Sequence, residues 1–444
     1  MLLKDRRASD VVGRERIAQA LVSTGVFATP ALSLALPSGY SLGILCLLLA
    51  GLLGLPDYIS RSRTTIPAAV LHFLLAAWWM VCVWFFRIDN VGWNHVEGYE
   101  RLLKYALSPL AAVALLTFRP PPQLAWYGCT VGAILAGATA ITQVHILGYE
   151  RANGHTNAIQ FGNLALLLSL WSAVGLHYFR GRTFRTLWGF LGMIGGSAAI
   201  FLSGTRSAWW ITALAVLVYL WATLRPRHAD AGPRGTGTYR ALGPIFIVLV
   251  SGAITVLMWQ PITNRISEGL RDLQLYHDNN TDTSLGHRLA HWKLAWRLGY
   301  EQPLLGWGQQ GYEKRKAELV STNEAPSTVL RFRHAHSDVL DLWAKAGLVG
   351  VVSYCLLLGT PLWYSLRLWR AQRTHCTDPD ALVIRYAALC GTVTVLCYVG
   401  FGLTQTFFAH NNGNMMYLYM TILWLCLVFG VRPQNNQTRL VKHA

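Results

Sequence analysis

The run from Ala158 to Phe179, AIQFGNLALLLSLWSAVGLHYF, holds no Lys, Arg, Asp or Glu in 22 consecutive positions. A helix of about 20 mostly apolar residues crosses the hydrocarbon core of a bilayer, so the stretch reads as a membrane span. Comparable runs lie before it near 17–36, 41–56, 68–86, 103–118 and 125–147. Others follow near 187–204, 208–224, 241–259, 348–366, 381–401 and 415–431. The expected fold class is an all-α polytopic membrane protein with about 12 transmembrane helices. The second, fourth and eighth runs are short and suit helices that are tilted, half-spanning or mis-bounded by the apolar run. Composition agrees, because 53% hydrophobic against 13% charged residues is too apolar for a soluble chain. The 18 tryptophans suit headgroup-level anchoring.

Lys and Arg outnumber Asp and Glu by 38 to 21. Their placement decides what that excess means. Alternate short loops hold the N-terminal Lys4, Arg6, Arg7, Arg14 and Arg16, then Arg61 with Arg63, Arg119, Arg180 with Arg182 and Arg185, the Arg225–Arg240 group, Arg367 to Arg373, and Arg432 to Lys442. The opposite short loops hold only Arg87, Arg101, Lys104, Arg151 and Arg206. Basic residues stay cytoplasmic, so both termini are expected inside and the long segment after the ninth span outside. Most of the +17 formal charge is then topological, and no nucleic acid is expected as a partner. The first run, behind its basic residues, resembles a signal peptide, but the spans that follow favour an uncleaved first helix. The eight cysteines show no CxxC or Cys/His metal spacing and read as buried thiols.

Three regions are expected: 1–259 with nine spans, 260–347 as a large outward helical loop, and 348–444 with three spans and an inner tail. The single insertion after the ninth span does not fit two matching six-helix halves, which weighs against a transporter. The outward segment carries eleven basic residues and five histidines against ten acids, contrary to the topological trend. Cations there suit an anionic phosphate-type ligand, although a solvated surface is the better reading for most of them. A polar stretch, Asp278 to Ser284, can cap a helix from Leu285, on which Leu285, Leu289, Trp292 and Trp296 recur at helical spacing. Arg288 and His291 stand three apart on an adjoining row, and Pro303 to Gly308 ends the helix. His334 and His336 precede another helical pattern running through Gly347 into the tenth span. Their spacing of two does not suit paired ligands on a helix, so no metal site is expected. A histidine there can instead act as a general base.

Three stretches together resemble the O-antigen ligase and polymerase superfamily. Leu202-Ser203-Gly204-Thr205-Arg206-Ser207 is similar to its Ser-x-Ser/Thr-Arg turn at the outer end of a span. Ser284-Leu285-Gly286-His287-Arg288 with Pro303-Leu304-Leu305-Gly306-Trp307-Gly308 resembles its Ser-x-x-x-Arg helix and Asn-Pro-Leu-x-Gly-x-Gly turn, with Gln302 in place of Asn. His336-Ser337-Asp338-Val339-Leu340 with Gly347-Leu348-Val349-Gly350 resembles its His-Asn-x-x-Leu and Gly-Leu-x-Gly pattern, with Ser337 in place of Asn. Arg151 to Gly154 is similar to an Arg-x-x-Gly element on an earlier outer loop.

The resemblance implies a GT-C-like glycosyltransferase of the bacterial inner membrane with a periplasmic active site. Its substrates would be an undecaprenyl-pyrophosphate-linked O-antigen donor and a lipid A-core acceptor, joined with inversion and without a metal or other cofactor. It implies His336 as general base, Arg206 and Arg288 on the pyrophosphate leaving group, and Arg151 on the distal phosphate. Membrane lipid would surround the spans. A repeat-unit polymerase, a protein O-oligosaccharyltransferase and a transporter for the same lipid-linked glycan stand as alternatives.

Overall fold

The computed structural model describes residues 2–60, 66–89, 96–179, 183–205, 281–371 and 379–430, with scattered positions between 263 and 278. The described residues form helices and connecting turns. They comprise α1 (Leu2–Leu32), α2 (Tyr40–Ser60), α3 (Ala68–Trp84) with a wider π turn at Phe85–Asp89, and α4 (Val96–Phe118). Next come α5 (Gln123–Ile141) with a π turn at Thr142–Ile146, α6 (Ala158–Tyr178) and α7 (Thr183–Ser203). The outward segment gives α8 (Ser284–Glu301), α9 (Gly308–Ser321) and a 3-10 turn at Ser327–Arg331. Then follow α10 (Asp338–Ala371), α11 (Pro379–Thr404), a 3-10 turn at Phe407–Ala409 and α12 (Asn411–Gly430).

Among the described residues, eight helices are long and apolar enough to cross a membrane: α2 to α6 and α10 to α12, α3 and α5 counted with their π turns. The chain is a polytopic membrane protein. The first and seventh expected spans fall on α1 and α7. The eighth and ninth, at 208–224 and 241–259, lie outside the described residues, as do the stretch 225–240, expected as an inner loop, and Arg206. The second and fourth spans are not short. Pro56 sits inside α2, and charged Glu97, Glu100, Arg101 and Lys104 sit on the first turns of α4, so apolar runs understate both helices.

Burial sorts the helices. α6, α11 and α12 are enclosed almost all round, whereas α2 turns Leu42, Leu45, Leu49 and Leu52 outward, as lipid-facing positions require. Cys82 and Cys355 are likewise exposed, which corrects the reading of all cysteines as buried: in a bilayer an apolar thiol faces outward without cost. Small residues allow close crossings, with Gly25 of α1 against Gly43 of α2 and Gly137 of α5 against Gly195 of α7.

The 281–347 stretch builds a second, smaller hydrophobic cluster from Leu294, Leu298, Tyr312, Leu319, Val329 and Ala344. A kink in α10 fastens it to the membrane helices. α10 is helical on both sides of Gly347, whose φ of 58° and ψ of −151° interrupt the continuous helix expected from the sequence. Such angles are essentially restricted to glycine. Pro303-Leu304-Leu305-Gly306 docks into the kink: Leu348 N donates to Pro303 O at 2.8 Å, Val349 N to Leu304 O at 3.2 Å and Trp307 N to Ala344 O at 3.0 Å. A Cβ on Gly347 would lie 2.5 Å from the Leu304 carbonyl carbon, and one on Gly306 2.4 Å from that of Lys345. Gly347→Ala should therefore cost about 3 kcal/mol or more, from backbone strain and overlap together. Thermal unfolding in detergent checks it, and a variant melting with the parent would contradict the docking.

Candidate functional site: a histidine turn above the membrane helices

Thr283 caps α8 by accepting from Gly286 N at 3.0 Å, so the helix begins within one residue of the expected start. Its buried face is Ala290, His291, Leu294, Ala295 and Leu298. The Leu285, Leu289, Trp292, Trp296 row is not buried to the same degree, and Trp296 is 54% exposed beside Tyr300. An exposed aromatic pair is expected where a helix lies at a membrane surface.

The buried face brings His287 and His291 against Phe332, with ring centroids 6.0 Å away in each case. The same phenyl ring lies 4.6 Å from His336 and 6.2 Å from His334. His336 is in turn 4.6 Å from His334 and 5.7 Å from His291. Four histidines thus surround one aromatic ring. Sequence reasoning singled out His336 but saw His291 only as a neighbour of Arg288, because nothing in the local spacing shows that residues 287–291 and 332–336 meet.

Buried cations hold this turn in place. Lys316 Nζ donates to Phe332 O at 2.8 Å and pairs with Glu313 at 2.7 Å. Lys345 Nζ donates to Arg333 O at 2.9 Å and pairs with Asp341 at 2.8 Å, while Asp341 accepts from Ala335 N at 2.9 Å. Neither lysine is solvated, contrary to the surface reading of the segment's charge: their side chains are 1% and 2% exposed. Arg297, Arg315 and Arg331 do sit in surface ion pairs, with Glu324, Glu301 and Asp282 respectively. The clamped turn leaves His336 at φ 54°, a left-handed conformation that L residues rarely adopt and that clusters at functional positions.

From the membrane side, the α11–α12 connection rises to meet the turn. The Gln405 amide reaches toward His336. Its Nε2 and the Nδ2 of Asn157 each lie 3.4 Å from Nε2 of His410. Asn157 is oriented by its second task, since its Oδ1 caps α6 by accepting from Gln160 N at 2.9 Å. Two amide donors converging on one ring nitrogen make it the acceptor and place the His410 proton on Nδ1. One residue along, Ala158 O accepts from Thr205 Oγ1 at 2.8 Å, which brings the residue preceding Arg206 to the edge of the cluster. Arg206 itself lies outside the described residues. Arg151 donates to Ser203 O at 2.8 Å and Gly204 O at 3.3 Å, bracing the end of α7. The two weakly similar motifs of the membrane domain are therefore in contact with each other. Arg87, at the end of α3, likewise binds Gly306 O at 2.7 Å.

Burial lowers the proton affinity of His291, His334, His336 and His410. His336 is pushed down to about 4 from an ordinary 6.5, chiefly by desolvation, then by His334, with Arg288 adding to the shift and Gln405 and Asp341 opposing it. His291 falls to about 3 and His410 to about 4, again chiefly by desolvation, and His334 is lowered as well. The unfolded chain therefore binds more protons than the folded one between about pH 6.5 and 4. Stability is fully present above 6.5 and drains as pH falls toward 4. A melting temperature measured across that interval should drop steadily, and a flat profile would mean these rings are not buried as described. Among the described residues, no three His, Cys, Asp or Glu side chains converge as metal ligands do.

Comparison with known proteins bears on the same stretch. A family model described as O-antigen ligase matches residues 189–355. An uncharacterised protein of Haemophilus influenzae strain Rd is 27% identical over 393 residues, 86% of this chain and 92% of that protein. The O-antigen ligase of Escherichia coli K12 is 26% identical over 115 residues, which is 26% of this chain and 27% of that protein. Residues 189–355 thus match the O-antigen ligase family, and that match, with the E. coli relative, supports a ligase- or polymerase-type function.

Proposed function

We propose that the protein is an O-antigen ligase, transferring glycan from undecaprenyl pyrophosphate to a sugar hydroxyl of lipid A-core on the periplasmic face of the inner membrane. The observation that carries the reading is His336, held in a left-handed turn against His334 and His291, above the Gln405 amide of the 405–410 connection, with Arg288 three residues before His291 on α8. An acceptor hydroxyl attacks the anomeric carbon from the face opposite the pyrophosphate. The new C–O bond forms as the old one breaks, and its electron pair leaves with the pyrophosphate. The hydroxyl proton passes to the neutral imidazole of His336, which a ring held at about 4 is free to receive at neutral pH. Arg288, together with Arg206, stabilises the charge appearing on the leaving group. Arg151 takes the positioning task its contacts indicate and, through that, the placement of the distal phosphate. The described part of the 260–347 region works as part of a site shared with the membrane helices.

A base at about 4 is weak until substrate arrives. The pyrophosphate supplies negative charge beside His336 and raises it. The acid limb of kcat/KM, which reports free enzyme, should fall near pH 4, and that of kcat, which reports the complex, at a higher pH. Coincident limbs would count against His336 as the base. Purified protein in nanodiscs, given lipid-linked O-antigen and lipid A-core, tests the reading. One glycan chain per acceptor, formed in EDTA, supports a metal-independent ligase. A lengthening donor ladder without acceptor product supports the polymerase, and transfer abolished by EDTA refutes the metal-free mechanism.

A further inference from the structure

A cavity of about 270 Å³ opens beside the histidine turn, between the end of α3, α4, the first turns of α10 and the 406–409 turn. His334 is part of its wall, and His334 touches His336 on the other side, so cavity and turn are contiguous. Its charge differs from that of the proposed pyrophosphate site. Arg101, Arg333 and Lys345 line it against Asp89, Asp338 and Asp341, three cations to three carboxylates. Two of the pairs are made and largely buried: Arg101 with Asp89 at 3.1 Å, and Lys345 with Asp341 at 2.8 Å. With Arg101 and Lys345 already paired to Asp89 and Asp341, the lining offers little to a diphosphate. Fixed carboxylates, guanidinium groups and an amide, with Trp84 and Phe408 beside them, suit a molecule whose hydroxyls both donate and accept.

The cavity also has unmet hydrogen-bonding capacity. Thr406 is 7% exposed, its Oγ1 is buried, and no group among the described residues bonds to it. Nε of Arg101, also buried, has no hydrogen-bond partner among the described residues, although both terminal nitrogens of that guanidinium are engaged, with Asp89 and with Ala409 O. Buried polar atoms ordinarily find partners, and Thr406 Oγ1 and Arg101 Nε are joined on the lining of this cavity by His334 Nδ1 and Asp338 Oδ2, which likewise lack one among the described residues, so the lining marks a place where a ligand supplies them. The volume lies just under the roughly 300–1,000 Å³ of clefts for small ligands, room for a sugar ring and not for a chain.

We propose that this cavity is a subsite for one uncharged sugar ring, separate from the arginines that take the pyrophosphate, with the Thr406 hydroxyl as one of its contacts. The inference rests on the glycan-transfer reading for its purpose, and the ring belongs either to the acceptor or to the donor's reducing end.

Thr406→Val tests it, because it removes a hydroxyl that no group among the described residues uses and keeps the side-chain shape. The full chain in nanodiscs is titrated with soluble core oligosaccharide freed of its lipid, and with a short-chain polyprenyl-pyrophosphate glycan. Binding is read by ligand-observed NMR, so the result does not depend on turnover. The expected result is a 3- to 10-fold weakening, about one hydrogen bond, restored by Thr406→Ser, with melting temperature unchanged or raised. Weakening for the core oligosaccharide assigns the ring to the acceptor, and weakening for the polyprenyl glycan assigns it to the donor. Unchanged affinity for both, or a melting temperature lowered by the valine, overturns the proposal. A wild type that binds oligosaccharide but never transfers glycan leaves the subsite standing and removes the ligase reading.

Discussion

His336→Asn should lower kcat by about 100- to 10,000-fold, the range contributed by a positioned general base, while leaving the protein folded. Asparagine separates the two roles of the position. At φ 54° it is among the residues that tolerate left-handed backbone best, so the clamped turn survives the change. Its amide cannot accept a proton near neutrality. Alanine would confuse the matter, because a side chain with no local hydrogen bond is less at ease in that conformation. The matched controls are donor affinity and melting temperature, both expected within error of wild type. A His336→Asn protein that turns over at the parent rate would show that the proton goes elsewhere, with His334 the next imidazole in line at 4.6 Å.

Arg288→Lys should reduce kcat by about 100-fold, with a smaller effect on donor affinity. The lysine keeps the charge. It loses the planar fork that binds two phosphate oxygens at once, and preorganised donors to a developing anion are worth about 100- to 1,000-fold in kcat. The position constrains the outcome further. Arg288 lies on the second turn of α8, whose start is fixed by the Thr283 cap and whose inner face is packed by His291, Leu294 and Ala295. A shorter-reaching ammonium on that rigid frame cannot follow the phosphate by moving the backbone. Removing the charge altogether, as in Arg288→Gln, should relax His336 upward, since the Arg288 charge is one of the influences holding it low. The acid limb of kcat/KM should be retained in Arg288→Lys and move to higher pH in Arg288→Gln. Equal profiles for both would mean that Arg288 acts on His336 only weakly.

How much of this was legible in the sequence depends on the distance between the residues concerned. Membrane spans follow from local composition, and those that could be compared fell on helices. Their ends were misjudged where Pro56 or the charged first turns of α4 broke the apolar run. The start of α8 was readable because a cap is a matter of three residues, and the stop at Pro303 equally so. The kink at Gly347 was not, because its cause is the Pro303-Leu304-Leu305-Gly306 turn docked from forty residues away. For the same reason Lys316 and Lys345 looked like surface charge. Only the fold shows that each meets a backbone carbonyl of the histidine turn. Asn157, Gln405 and His410 carried no signal at all. Single polar residues at helix ends are common, and their convergence under His336 is a product of how α6, α11 and α12 pack.

The central claim is that one site, shared by the outward turn and the membrane helices, moves a glycan from a pyrophosphate to an acceptor with His336 as base. Its most direct test is a single-turnover transfer in nanodiscs containing EDTA, with undecaprenyl-pyrophosphate-linked O-antigen as donor and lipid A-core as acceptor. Glycosylated acceptor and released undecaprenyl pyrophosphate are counted together. The expected result is equal amounts of both with wild type, and neither on the same timescale with His336→Asn despite unchanged donor binding. Wild-type protein that releases no undecaprenyl pyrophosphate, or a His336→Asn protein that releases it at the parent rate, would contradict the account.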